Sequence, residues 1–83
     1  MRTARKIRRF IDRALLEEPY DGPDPLADEL LDSLAIEQLI AYLEERYRIV
    51  FDEADLVIEN FASIPVLADL VDTKRRPVKQ PTV

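Results

Sequence analysis

In this chain of 83 residues, apolar side chains recur at helical spacing in three separate stretches, which leaves little sequence for any sheet. Ile7, Phe10, Ile11, Ala14 and Leu15 form the first stripe, Ile36, Leu39, Ile40, Leu43 and Tyr47 the second, and Ile64, Leu67, Ala68 and Val71 the third. The short run Ile49-Val50-Phe51 is the one strand candidate. With no second strand to pair with, it reads as a buried loop. The expected fold class is therefore all-α. A domain of this size buries only about 60% of the surface its unfolded form exposes. With 0 Cys and 0 His the chain has neither disulfides nor the usual zinc ligands as staples, so helix packing must hold its single core together.

Prolines and capping residues set the breaks between stripes. Helix one is expected from Thr3 to near Glu18, because Pro19 disfavours helical geometry in the residue before it and Gly22, Pro23 and Pro25 follow. Residues 19–32 read as a long loop, held on the core by a turn at Leu26, Leu30 and Leu31. Loops longer than about 12 residues in so small a domain are more often functional than not. Helix two starts at Asp32 or Ser33, both good N-cap residues, and runs to about Arg48. Asp52 or Asp55 is placed to cap a short third helix ending near Asn60, and Ser63 a fourth with Pro65 in its first turn. The sum is a small four-helix bundle, three longer helices and one short, with a long loop between the first two. The domain covers residues 1–74; residues 75–83 are basic, aperiodic and carry Pro77 and Pro81, as expected of a disordered tail.

Charge is divided along the chain. Residues 1–16 carry six bases against Asp12, residues 17–72 sixteen acids against Arg46 and Arg48, and residues 73–83 four bases and no acid. So negative a middle block repels nucleic acid and attracts basic protein partners. A helix-turn-helix DNA reader would need bases on its recognition helix, and helix two offers only Arg46 and Arg48 at its far end. Arg2 to Arg9 read as a solvated face, since the apolar residues of helix one are spent on the core. No run approaches the roughly 20 apolar residues of a membrane span, and the first residues lack the apolar stretch of a secretory signal. The expectation is a soluble, cytoplasmic monomer with no nucleic-acid or membrane partner. Asp21, Asp24 and Asp28 lack the spacing of a calcium loop and read as loop and cap residues, so no metal is expected.

Absence of Cys and His removes the nucleophile triads and thiol chemistry, so the chain is expected to be non-catalytic. One hydroxyl has a chemically useful setting. Ser33 lies in Leu31-Asp32-Ser33-Leu34, where the long loop meets the start of helix two. A group esterified there would sit beside free backbone N–H donors and the positive end of the helix dipole, which favours a phosphate. No general base accompanies Ser33, so another enzyme would have to modify it. On the tripeptide alone, a plain helix cap explains the same residues.

From residue 26 to 71 the chain resembles the acyl carrier protein family. Asp32-Ser33-Leu34 matches the attachment motif, and Leu39-Ile40, Leu43-Glu44-Glu45-Arg46-Tyr47, Asp55-Leu56, Glu59-Asn60-Phe61, Ser63-Ile64 and Leu67 to Val71 follow in order at family spacing. The resemblance implies an acyl-carrier-like four-helix bundle whose cofactor is 4'-phosphopantetheine from coenzyme A, attached covalently to Ser33 by a phosphopantetheinyl transferase, with Asp32 and Leu34 flanking it. The arm's thiol would carry an acyl or aminoacyl group as a thioester between an activating ligase and a downstream synthase or acyltransferase. The positions matching the family's docking helix are Leu34, Glu37, Gln38, Ala41, Glu44 and Glu45. Phe51 and Phe61 read first as core residues, and in a carrier they would also line the space for an acyl chain.

The chain also departs from the family pattern. Glu37 and Ala41 stand where larger apolar residues are common in fatty-acid carriers, Leu30 replaces a small residue, and helix one is strongly basic. Leu31-Asp32-Ser33 looks more like free-standing carriers of special pathways, among them D-alanyl and aminoacyl carriers. The alternative is a helical interaction module that is never modified and uses acidic helix two only for docking.

Overall fold

Each of the three stripes becomes a helix in the computed structural model, which describes residues 2–75. Helix α1 spans Arg2–Phe10 and continues as a π turn over Ile11–Leu15; α2 spans Ser33–Tyr47 and α3 spans Ile64–Arg75. A 3-10 turn at Ile58–Phe61 precedes α3, and no strand occurs among the described residues. Residues 76–83, most of the expected basic tail, lie outside the described residues; α3 itself includes Lys74 and Arg75.

Helix one is shorter than its periodicity suggests. Leu16 donates its N–H to Ile11 O at 3.0 Å, five residues back, and Leu16 itself is extended at φ −91°, ψ 134°. The chain thus leaves the helix three residues before Glu18. A π turn holds an extra residue, and that shifts the inward register. Ile7 and Ile11 remain fully buried, whereas Ala14, expected on the stripe, faces solvent, and Leu15 and Leu16 pack at the edge of the core.

Helix α1 packs chiefly on α3, and α2 crosses against α3 and the π turn. Thr3, buried on α1, donates its hydroxyl to Asp72 Oδ1 at 2.6 Å and ties α1 to α3. The centre is Ile7, Ile11, Leu39, Leu43, Leu67, Ala68 and Val71, all fully excluded from solvent. Leu26, Ile49, Phe51 and Ile64 close its ends. The apolar run after α2 is buried only at alternate positions: Ile49 and Phe51 enter the core while Val50, expected inside, is 75% exposed.

The long loop is held by two charged residues. Asp24 Oδ1 accepts the N–H groups of Leu26 and Ala27 at 2.9 and 3.1 Å, while its Oδ2 accepts the Ile64 N–H at 2.9 Å. One carboxylate therefore caps the turn at 25–29 and satisfies the start of α3, which Ser63 also caps through Val66 N–H at 3.3 Å. Arg8 donates to Pro23 O and Gly22 O at 3.0 Å each and pairs with Asp12 at 3.0 Å, pinning the loop to α1. Of the three leucines expected in the turn, Leu26 is buried and Leu31 half-buried, but Leu30 is exposed.

The expected third α-helix does not form. Asp52 and Asp55 each accept the other's backbone N–H, at 3.0 and 3.2 Å, and this reciprocal pair closes a single turn. Val57 then returns to extended geometry, so only the 3-10 turn follows. Asp55 is already committed elsewhere: Lys74 Nζ of α3 binds its Oδ2 at 2.6 Å, and Asn60 Nδ2 binds its backbone O at 2.8 Å.

Candidate functional site

The start of α2 is built by Asp32. It is the N-cap, extended in backbone, with Oδ1 accepting the Ala35 N–H at 2.8 Å and its own carbonyl accepting Ile36 N–H at 2.9 Å. Ser33 becomes the first helical residue rather than the cap. Its side chain is exposed, and among the described residues neither its hydroxyl nor the N–H groups of Ser33 and Leu34 have a hydrogen-bond partner. The site thus combines a free primary alcohol, two open amide donors and the positive end of a helix of 15 residues. That arrangement suits a phosphodiester, and among the described residues no side chain hydrogen-bonds the oxygen.

Beside this terminus lies an apolar cleft of about 290 Å³ lined by Ile36, Ile40, Leu56, Val57, Ile58 and Phe61. Ile36 and Ile40 follow Ser33 by three and seven residues, so they share its side of α2, and Ile36 lies only about 4.5 Å further along the axis. The opposite wall is the segment that includes the 3-10 turn. Ile58 on its rim is 87% exposed. Phe61 lines the cleft, and Phe51 is buried in the core as expected, with ring centroids 6.4 Å apart.

The docking-face candidates separate into two groups. Leu34, Gln38, Ala41 and Glu45 are exposed and, at intervals of three and four residues, form one outward stripe with exposed Glu37 alongside. Leu34 is 62% exposed and supplies the apolar end of that stripe, next to Ser33. Glu44 does not belong to it. Only half-exposed, it turns toward the following loop, and its Oε2 accepts the Phe51 N–H at 2.9 Å.

What the sequence hid is the reach of Arg8, one of six bases in its segment, and of Asp24, which reads as a loop and cap residue and caps its own turn but also the start of α3. Their partners lie 15 and 40 residues away, a separation that carries no local signature. Asp55, next in sequence to the cleft residue Leu56, is paired with Lys74 of α3. The hydrogen bond from Lys74 holds the Asp55 carboxyl below its ordinary value, and the same bond raises Lys74. In the loop, hydrogen bonding to Asp28 raises the Tyr20 phenol. Burial raises Tyr47, whose hydroxyl has no partner among the described residues and whose ring lies 4.7 Å beneath the Arg75 guanidinium.

No family model matches the chain, and no curated protein or solved structure matches it either. No helix among the described residues is long and apolar enough to cross a membrane.

Proposed function

We propose that this chain is a carrier of acyl or aminoacyl groups, held as thioesters on a 4'-phosphopantetheine arm esterified to Ser33. One observation carries the reading: an exposed, unengaged serine hydroxyl at the first position of α2 stands one helical turn from an apolar cleft of about 290 Å³. The residues fit such a group. Ser33 supplies the oxygen, the open N–H groups at the start of α2 favour the phosphate charge, and Leu34 offers an apolar contact to the enzyme that installs the arm. When bound, the arm supplies the thiol that exchanges acyl groups. Ile36, Ile40, Leu56, Val57, Ile58 and Phe61 give an aliphatic cargo partial cover from water.

In this reading the 52–61 segment takes the part of the short third helix in an acyl-carrier-like bundle of four elements. Leu34, Glu37, Gln38, Ala41 and Glu45 form the face read by the transferase, the activating ligase and the downstream synthase or acyltransferase. The protein is a substrate of these enzymes and does no catalysis of its own. Incubation with coenzyme A and a broad-specificity phosphopantetheinyl transferase, followed by intact mass spectrometry, tests the proposal. Addition of one arm that is lost in Ser33→Ala supports it, and an unchanged mass with several transferases leaves the unmodified interaction module.

A further inference from the structure

The basic residues of α1 are not consumed by the acidic middle of the chain. Among the described residues, Arg2, Arg5, Lys6, Arg9 and Arg13 make no ion pair, and all are exposed; of the α1 bases only Arg8 is paired. Lys6, Arg9 and Arg13 recur at three and four residues and so lie along one side of the helix and its π turn. They surround a hollow of about 310 Å³ that Arg46 closes from α2 and that Phe10 and Tyr42 also line. Those two rings are stacked, with centroids 3.9 Å apart and planes 6° from parallel. The face therefore has a stacked, half-buried aromatic centre and a cationic rim, the arrangement of a protein interface with an apolar core and a charged edge.

We propose that this face docks an acidic helix of a partner protein, with one apolar side chain over the Phe10–Tyr42 pair and carboxylates against Lys6, Arg9, Arg13 and Arg46. The spacing of the bases matches carboxylates placed at three- and four-residue intervals on a helix laid along α1. A lipid surface is a poorer occupant, because Ile7 and Ile11, the aliphatic anchors of α1, are wholly buried in the core. A polynucleotide is poorer too, since its long backbone would run into the field of the sixteen acids between residues 17 and 72. Arg46 is thirteen residues from Ser33, about 20 Å along α2. The face can therefore be occupied while Ser33 is being modified, and it stands independently of the carrier reading.

The test is fluorescence anisotropy of the full chain with three labelled probes at low salt. They are a helical peptide bearing glutamates at i, i+4 and i+7 around one leucine, single-stranded oligothymidine, and phosphatidylglycerol vesicles. The peptide is expected to bind best, to weaken as salt rises, and to lose about tenfold in affinity to Lys6→Glu/Arg9→Glu/Arg13→Glu. The corresponding Gln variant, which only neutralises the face, should lose less, with circular dichroism verifying both folds. No peptide binding, equal binding to the Glu variant, or tighter binding of the oligonucleotide or vesicles would overturn the proposal. Ser33→Ala should leave peptide affinity unchanged, so this outcome is separable from any failure of arm attachment.

Discussion

The Glu44 carboxylate on α2 accepts the backbone N–H of Phe51 at 2.9 Å, seven residues on, and so caps the chain reversal that brings Phe51 into the core. Two neighbouring glutamates of identical charge thus have different duties. Glu44 supports the fold, and Glu45 faces outward. Glu44→Ala is expected to cost about 1–3 kcal/mol by leaving a part-buried N–H without its acceptor. Glu45→Ala should stay within about 0.5 kcal/mol, as exposed substitutions do. Urea titrations of the two variants check this, and Glu44→Gln, which keeps an acceptor oxygen, should recover most of the loss.

Arg48 ends α2 in left-handed geometry at φ 56°, ψ 50°, where a side chain is disfavoured and glycine is not. Arg48→Gly is expected to stabilise the protein by about 0.5–1 kcal/mol, the usual gain from relieving such a position less the added freedom of the unfolded chain. Thermal unfolding with an unchanged or lower midpoint would show that the Arg48 side chain contributes more than its exposure indicates.

The Tyr47 hydroxyl is buried without a partner among the described residues, while its ring sits under Arg75 at 4.7 Å. Tyr47→Phe keeps the ring and the cation contact and removes an unsatisfied polar group. A gain of about 1 kcal/mol is expected, measured by denaturant midpoint, since an orphaned hydroxyl costs more than its absence.

How much of this was legible in the sequence depends on how local each cause is. Ile7, Leu39, Leu43, Leu67 and Val71 are identifiable because a helical stripe encodes its own burial, and Asp32 and Ser63 because caps act within three residues. Ala14 departs from its stripe because nothing in Ile11–Leu15 announces a π turn, whose extra residue rotates the stripe. The third helix failed for a related reason. Two aspartates three residues apart look like alternative caps, yet here they cap each other, and Lys74 then fixes the turn from α3. At the site, exposure of Ser33 and Leu34 follows from α2's own register, but the cleft depends on where a non-helical segment lands against Ile36 and Ile40.

The Lys74–Asp55 pair at 2.6 Å anchors the segment that walls the cleft, and it gives stability a defined pH dependence. Asp55 is held below its ordinary value, so its contribution is present above about pH 4 and is lost as pH falls through the lowered folded value. Lys74 is raised, so its contribution is complete below its ordinary value and lost only as strongly alkaline pH passes the raised one. Asp55→Asn should lower stability at pH 7 and flatten the acid limb of the stability curve. Urea midpoints from pH 7 to pH 3 check this, and amide exchange at Leu56 to Ile58 should rise in the variant at neutral pH.

The central claim is that Ser33 is the attachment point of a carrier arm, and intact mass spectrometry of the full chain tests it most directly. Wild-type protein, Ser33→Ala and Ser63→Ala are each incubated with coenzyme A and a broad-specificity phosphopantetheinyl transferase. The account predicts one added phosphopantetheine on the wild type and on Ser63→Ala, whose serine is engaged as a helix cap, and none on Ser33→Ala. A wild-type mass that stays unchanged, or an addition that survives Ser33→Ala, would contradict it.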